Sequence, residues 1–338
     1  MAANGPRPVC LALQGGGAHG AFTWGVLDKL AEDGRLGVTA MSATSAGAVN
    51  AAAWASGYHA DGAEGARERM RRVWGQIAST SNVFAPNTMG GPFQRMMFGW
   101  MDAFTRLTSP YNLNPLGLNP LRDILEETLD VEGARACADL KLFIAATNVS
   151  TGKARIFRKD ELTVDAILAS ACLPFLFQAV EIDGEHYWDG GYTANPALWP
   201  FFYEDTPSDI VIVHINPMNR NEGPPTTAAD IVNRVNEITF NTSLQAELRA
   251  IDFVKKLRRE KWLSGDVDKR YRDMRIHSIR ADAALSGLGA DTKYRTDRGF
   301  IEDLFARGRD TAAHWLDECF DRIGKESSID IRSEYLDR

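Results

Sequence analysis

The sequence predicts an α/β fold built on a mostly parallel sheet, and two observations support this class. Short apolar segments alternate with helical patterns over residues 9–57, and further buried strands follow beyond residue 140. Strands that alternate with helices favour parallel pairing through right-handed crossovers. Of the 338 residues, 44% are hydrophobic and 25% are charged, which is an ordinary globular composition with ample material for a core.

The predicted elements follow from the spacing of apolar residues. In the first part of the chain they are a strand at 9–14, a helix at 21–33, a strand at 38–43 and a helix at 46–57. Later they are a helix at 120–129, strands at 142–149 and 154–157, a helix at 163–171, a hairpin at 181–188, a strand at 210–215, helices at 228–262 and 298–323, and a strand at 274–280. We expect residues 9–217 to form the core domain and residues 218–338 to form a mostly helical C-terminal extension packed on it.

An apolar insertion interrupts the regular pattern at about 79–120, where Asn, Pro, Gly, Met, Phe and Trp dominate. Flexible methionines and aromatic rings suit a wall or lid over an acyl chain. They suit equally well a small core packed beneath a loop, so both interpretations stay open.

A helical stripe in the C-terminal extension ends in a basic cluster. The stripe consists of Leu244, Leu248, Ile251, Val254 and Leu257, and the cluster of Lys255, Lys256, Arg258, Arg259 and Lys261. Most such charge runs are solvated faces of helices packed on the protein, and this interpretation is preferred here. Transient contact with a membrane surface is the alternative.

Net charge and cysteine usage limit the partners and the compartment. The formal charge of −7 argues against a nucleic-acid partner, because phosphate binding depends on clustered Lys and Arg. The widely separated Cys10, Cys137, Cys172 and Cys319 lack metal-ligand spacing and indicate free thiols in a reducing compartment. Residues 1–8 contain no long apolar run, so no signal peptide or membrane span is predicted and the cytoplasm is expected. Nothing in the sequence specifies an oligomeric state.

A glycine turn follows the first predicted strand. Gly15, Gly17 and Gly20 satisfy the G-x-G-x-x-G pattern of dinucleotide-binding turns. That interpretation also needs an acidic residue at the end of the second strand, where this chain has Ala43-Thr44-Ser45 instead. Bare amides at a helix N-terminus also suit an oxyanion hole, so the turn alone leaves both roles open.

Ser45 lies where a short apolar strand becomes an alanine-rich helix. A serine hydroxyl can attack a carbonyl only when it is held clear of neighbouring side chains, and a tight strand-to-helix turn among Gly and Ala provides this. The sequence therefore predicts a nucleophile at Ser45, which favours the oxyanion role for the glycine turn.

A serine nucleophile needs a proton acceptor. The chain has six histidines, but His214, His277 and His314 carry no local catalytic signature. Asp189 follows a predicted hairpin and precedes Gly190-Gly191. Asp-Gly is most often an ordinary turn, although an aspartate desolvated between aromatic residues would have a raised pKa and be a better base.

Three motifs in this order resemble the patatin-like phospholipase family. They are Gly15-Gly16-Gly17-Ala18-His19-Gly20, Ala43-Thr44-Ser45-Ala46-Gly47 and Asp189-Gly190-Gly191. The resemblance covers roughly residues 9–217 and implies a three-layer α/β/α fold whose Ser-Asp dyad, Ser45 and Asp189, hydrolyses acyl esters of lipids without metal or cofactor.

The same resemblance implies that Gly15, Gly16 and Gly17 supply the oxyanion-hole amides. Two positions depart from the family pattern: Ala43 replaces a common glycine, and His19 replaces a common Arg or Lys. Because histidine titrates near neutral pH, His19 is a candidate for pH-dependent help to the oxyanion or to an anionic substrate group; simple packing is the alternative.

The predicted function is therefore a lipid acyl hydrolase, a phospholipase A or lipase-like esterase acting through an acyl-enzyme. The substrate would be a lipid or another acyl ester. A thioesterase or an intracellular polyester hydrolase with the same dyad is the first alternative, because nothing in the sequence specifies a headgroup. A non-catalytic nucleotide-binding or regulatory protein is the second.

Overall fold

The computed structural model describes residues 5–80, 109–219, 223–262 and 272–336. Most of the predicted apolar insertion, residues 81–108, lies outside the described residues, so its role as a lid or a core satellite stays a prediction. No helix in the described ranges is long and apolar enough to cross a bilayer.

Within the described residues, eight strands form one central sheet. The strands are β1 (Arg7–Leu13), β2 (Leu36–Thr44), β3 (Lys141–Asn148), β4 (Ala154–Arg158), β5 (Val180–Ile182), β6 (Glu185–Asp189), β7 (Asp209–His214) and β8 (Arg275–Arg280). Their order is β5-β6-β3-β2-β1-β7-β8, with β4 paired to β3. The neighbours β3, β2, β1, β7 and β8 pair in parallel. The strands β4, β5 and β6 pair antiparallel with their neighbours. The predicted α/β class is thus confirmed.

Helices cover both faces of this sheet. They are α1 (Gly20–Asp33), α2 (Ala46–Ser79), α3 (Pro110–Leu113), α4 (Pro120–Thr128), α5 (Val131–Ala136), α6 (Val164–Ser170), α7 (Pro200–Tyr203), α8 (Ala228–Arg259) and α9 (Arg298–Cys319). Short 3-10 helices at Gly17–His19, Gly190–Tyr192 and Ala290–Tyr294 lie between them.

Side chains that point alternately to the two sides of the sheet divide the core into two buried clusters, one on each face. Val9, Leu11 and Leu13 of β1 pack in one buried cluster with residues of α1, α2, α6 and α9, whereas Cys10 and Ala12 pack in another with α7 and α8. Successive side chains of a strand point to opposite sides, so a sheet covered on both faces needs apolar residues at every position. The result is a three-layer arrangement.

The helix after Ser45 is longer than the pattern predicts. It was expected to end at residue 57, but α2 continues to Ser79 across a kink at Asp61 and Gly62, whose backbone angles are not helical. The first segment is alanine-rich and buried from residue 46 to residue 57, and the more polar second segment buries one helical face through Ala66, Met70, Val73 and Trp74. The exposed residues 58–61 next to the kink interrupt the apolar pattern on which the prediction depended.

Strand β8 lies beyond the predicted core boundary at residue 217 and pairs in parallel with β7. The C-terminal part of the chain therefore completes the sheet in addition to covering it. On α8, Leu244, Leu248 and Ile251 of the apolar stripe are buried in the second core face. That contact favours the interpretation of the basic cluster as the solvated side of a packed helix.

Candidate active site

Ser45 forms a sharp turn between β2 and α2. Its backbone angles are φ 55° and ψ −123°, a region that residues with side chains rarely adopt. Such a conformation costs about 1–3 kcal/mol and persists only where surrounding contacts enforce it. One of these contacts is the Ser45 N–H, which donates to Ser170 Oγ at 2.8 Å. The predicted elbow geometry is present at this serine.

Close packing around the elbow explains its small neighbours. A Cβ on Gly47 would lie 2.5 Å from the Leu13 carbonyl oxygen, and a Cβ on Gly15 would lie 2.5 Å from Ser45 Cβ. The first turn of α2 thus packs directly on the end of β1. The glycine turn and the serine turn meet without an intervening side chain.

Asp189 ends β6 at the same edge of the sheet. Thr44 pairs with Ala145 of β3, and the next β3 residue, Ala146, pairs with Asp189. Gly190 lies against the side chain of Thr44, where a Cβ would come 2.9 Å from Cγ2. The topology therefore brings together Ser45 and Asp189, which are far apart in sequence.

The Asp189 carboxyl group is fully buried. Its Oδ1 accepts the Gly191 N–H at 2.7 Å, whereas Oδ2 has no hydrogen-bond partner of normal length among the described residues. Burial raises the pKa of Asp189 to about 7, although the Gly191 N–H and the nearby Ser45 hydroxyl act in the opposite direction. Desolvation dominates because it penalises the charged form of a carboxyl group.

The three glycines of the first turn have different contacts. The Gly15 N–H donates to Asn195 Oδ1 at 2.7 Å, so this amide is already engaged. A Cβ on Gly16 would lie 2.8 Å from Ile215 Cδ1, and Gly17 has φ 59° and packs against the Lys293 carbonyl. Gly17 begins the 3-10 helix, where the first amides have no acceptor within the helix. The prediction that all three amides act alike is therefore revised for Gly15.

His19 is buried and contacts the C-terminal part of the chain. Its Nε2 lies 2.8 Å from Thr292 Oγ1, and its ring lies 6.4 Å from that of Phe300. These contacts agree with the packing alternative. The other histidines considered as bases bond elsewhere: His214 contacts Asn241, and His277 contacts Asp209.

A buried group of amide side chains connects the glycine turn to distant parts of the chain. Gln14 Oε1 accepts the backbone N–H groups of Ile215 and Asn216 at 3.0 and 3.1 Å, and Gln14 Nε2 donates to the Asn195 carbonyl oxygen at 3.2 Å. Sequence reasoning missed Asn195, Asn216 and Ser170. In the sequence these residues are marked only by lying near a recognised motif or the end of a strand, and many residues without a role in a site share that position.

Ser45 is largely buried, with 8% of its surface exposed. A cavity of about 430 Å³ lies elsewhere, between α1, α2 and α9, with Trp24, Trp74, Arg71 and Phe305 in its walls. No cluster of His, Cys, Asp and Glu suited to a metal ion occurs in the described parts of the chain.

These features define an α/β protein with a serine at a strained strand-to-helix turn, a buried aspartate beside it and a glycine turn in direct contact. The family model described as patatin-like phospholipase matches residues 11–202, more than half of the chain. The chain belongs to this family. Membership supports a lipid-hydrolase function.

Two solved structures illustrate the likeness. VipD from Legionella pneumophila is 15% identical, and the match covers 98% of this chain and 73% of VipD with a TM-score of 0.43. ExoU from the type III secretion system of Pseudomonas aeruginosa, solved in complex with SpcU, is 15% identical, and the match covers 90% of this chain and 53% of the other with a TM-score of 0.31. No curated protein matched the sequence.

Proposed function

We propose that this protein is a lipid acyl hydrolase, a phospholipase A or lipase-like esterase, with Ser45 as nucleophile and Asp189 as base. One observation carries the proposal. The strained Ser45 turn lies beside a fully buried carboxyl group, that of Asp189, whose pKa is raised to about 7 by burial and on which the Ser45 hydroxyl acts in the opposite direction. A base with a pKa near the working pH combines a large ionised fraction with a strong affinity for the proton.

The reaction begins when ionised Asp189 accepts the proton of Ser45 Oγ as that oxygen attacks the ester carbonyl. Protonated Asp189 then gives this proton to the leaving alcohol as the ester C–O bond breaks, which leaves an acyl-enzyme. Water repeats the sequence with the same aspartate as base, and the fatty acid is released. One proton is taken and returned in each half-reaction, so no further co-reactant is required.

The oxyanion would be stabilised by backbone amides and by a helix end. Gly16 and Gly17 are the proposed donors, because the Gly15 amide is engaged by Asn195. Gly15 supplies the close approach to Ser45 instead. The N-terminus of α2, directly after Ser45, also favours negative charge there.

Transient contact with a lipid surface is proposed only for exposed residues at the C-terminal end of α8, outside the stripe that is buried on the core. Phe253 and Trp262 are 56% and 64% exposed, and Lys256 lies 5.6 Å from the Trp262 ring centre. An aromatic ring beside a cationic side chain suits the polar boundary of a lipid layer.

Products released from mixed lipid vesicles test the function. Mass spectrometry should detect fatty acid and the deacylated lipid with wild type and none above background with Ser45→Ala. Ser42→Ala is a matched control that should keep wild-type product formation, because Ser42 is a fully buried serine of β2, the strand that ends directly before Ser45. Equal product from wild type and Ser45→Ala, or no product from folded wild type, would contradict the proposal.

A further inference from the structure

Gly15 is held on both sides by asparagine side chains. Its N–H donates to Asn195 Oδ1 at 2.7 Å, and its carbonyl oxygen accepts from Asn216 Nδ2 at 2.7 Å. Both asparagines are fully buried. Neither belongs to a recognised dyad or glycine motif, and they come from different parts of the fold, one after β6 and the other after β7.

The contact with Asn216 determines where the next amide points. A trans peptide unit is planar, with its C=O and N–H directed oppositely. The Gly15 carbonyl and the Gly16 N–H belong to one such unit, so fixing the carbonyl on Asn216 fixes the direction of the Gly16 N–H. Gly16 is a proposed oxyanion donor, and such a donor is effective only at a defined position and angle.

Asn216 is held by further hydrogen bonds of its side chain, and Asn195 by a hydrogen bond of its backbone. Asn216 Oδ1 accepts from Lys293 Nζ at 2.9 Å, and its Nδ2 also donates to Gln14 Oε1 at 3.1 Å. The Asn195 backbone N–H donates to Ser243 Oγ at 3.1 Å. The Lys293 ammonium group and the Gly15 backbone N–H donate only to oxygen here, so they establish which side-chain atom is oxygen in Asn216 and in Asn195 respectively.

We propose that Asn216, together with Asn195, is a positioning residue that orients the Gly15 peptide units and thereby aims the Gly16 N–H at the oxyanion. This inference rests on the proposed function. Asn216 acts as a donor to Gly15 and Asn195 acts as an acceptor from it. Neither side chain is required to touch the substrate.

Asn216→Asp is the sharpest variant, because it retains the shape and the acceptor for Lys293 but removes the donor to Gly15. We expect kcat on a soluble ester to fall about 10- to 100-fold with KM nearly unchanged, because the oxyanion exists only in the transition state. Asn50→Asp is the matched control: fully buried Asn50 donates to the Gly20 carbonyl at 2.9 Å and accepts from Trp74 Nε1. It should keep kcat within about threefold of wild type.

Asn195→Ala is a second variant, in case Asn216→Asp fails to fold. It should also lower kcat at nearly constant KM, and the double variant should lose less than the product of the two single losses, because both act through Gly15. The inference is overturned if kcat of both variants stays within threefold of wild type, if Asn50→Asp loses as much, or if only KM changes. Wild type without Ser45-dependent turnover would instead refute the proposed function, and the inference with it.

Discussion

The Asp189→Asn variant should gain stability relative to wild type as the pH rises from 5 to 8. The reason is that the wild-type carboxyl group is costly to ionise in its buried position. Burial raises its pKa from 3.8 to about 7. For a group whose pKa is raised by folding, the stabilising contribution is fully present below the unfolded pKa and is lost as pH rises through the folded pKa. Asparagine does not titrate, so the variant keeps its stability through this window.

The size of this effect follows from the two pKa values. A pKa shift of one unit corresponds to about 1.36 kcal/mol, so the whole shift corresponds to about 4 kcal/mol, of which about 2–3 kcal/mol is lost between pH 5 and pH 8. The titratable groups facing Asp189 include Cys172 and Tyr192. Burial raises the pKa of Cys172 to about 12 and also raises that of Tyr192, so neither titrates in this window.

Urea unfolding of wild type and Asp189→Asn at pH 5 and pH 8 measures the effect. The difference between the two proteins in free energy of unfolding should move by about 2–3 kcal/mol in favour of the variant as pH rises. Contributions of all other groups cancel in this comparison. An unchanged difference at the two pH values would show that the Asp189 pKa is not raised, and the assignment of this residue as a near-neutral base would fail.

Three further outcomes follow from the site. The value of kcat/KM should rise with pH through about 7, because only ionised Asp189 accepts the serine proton, and a flat profile from pH 5 to pH 8 would contradict this. Gly15→Ala should lower the free energy of unfolding by about 1–3 kcal/mol and reduce turnover, because the new Cβ would lie 2.5 Å from Ser45 Cβ. Unchanged denaturant curves and rates would count against this close packing. Ser170→Ala should cost about 1–3 kcal/mol by leaving the Ser45 N–H without its acceptor, and a chemical denaturation midpoint equal to that of wild type would argue against this support.

Local patterns were sufficient to predict the strands, and they are also the basis on which Ser45 and Asp189 are proposed as nucleophile and base. Ser45 stands out because a strained turn requires small neighbours within a few positions, and Asp189 because a hairpin and two glycines surround it. Both signals are contained in short segments. The parallel pairing of β1 with β2 also follows from their single-helix crossover through α1, which restricts how such strands pair.

Contacts between distant segments were not predictable in this way. The engagement of the Gly15 amide by Asn195 depends on which strands end at the same edge of the sheet. The burial of Leu248 on α8 depends on which neighbour covers an apolar stripe, and periodicity identifies the stripe without identifying its partner. Placement of β8 beside β7 likewise arises only when the full sheet is assembled.

Covalent labelling of the intact protein with a fluorophosphonate probe at pH 8 tests the central claim most directly, because the probe reacts with a serine only where its hydroxyl is activated. Peptide mass spectrometry should place the label on Ser45 of wild type, find none in Ser45→Ala, and find a much slower reaction in Asp189→Asn. A label on another residue, or equal labelling rates in wild type and Asp189→Asn, would contradict the assignment of Ser45 and Asp189 as nucleophile and base.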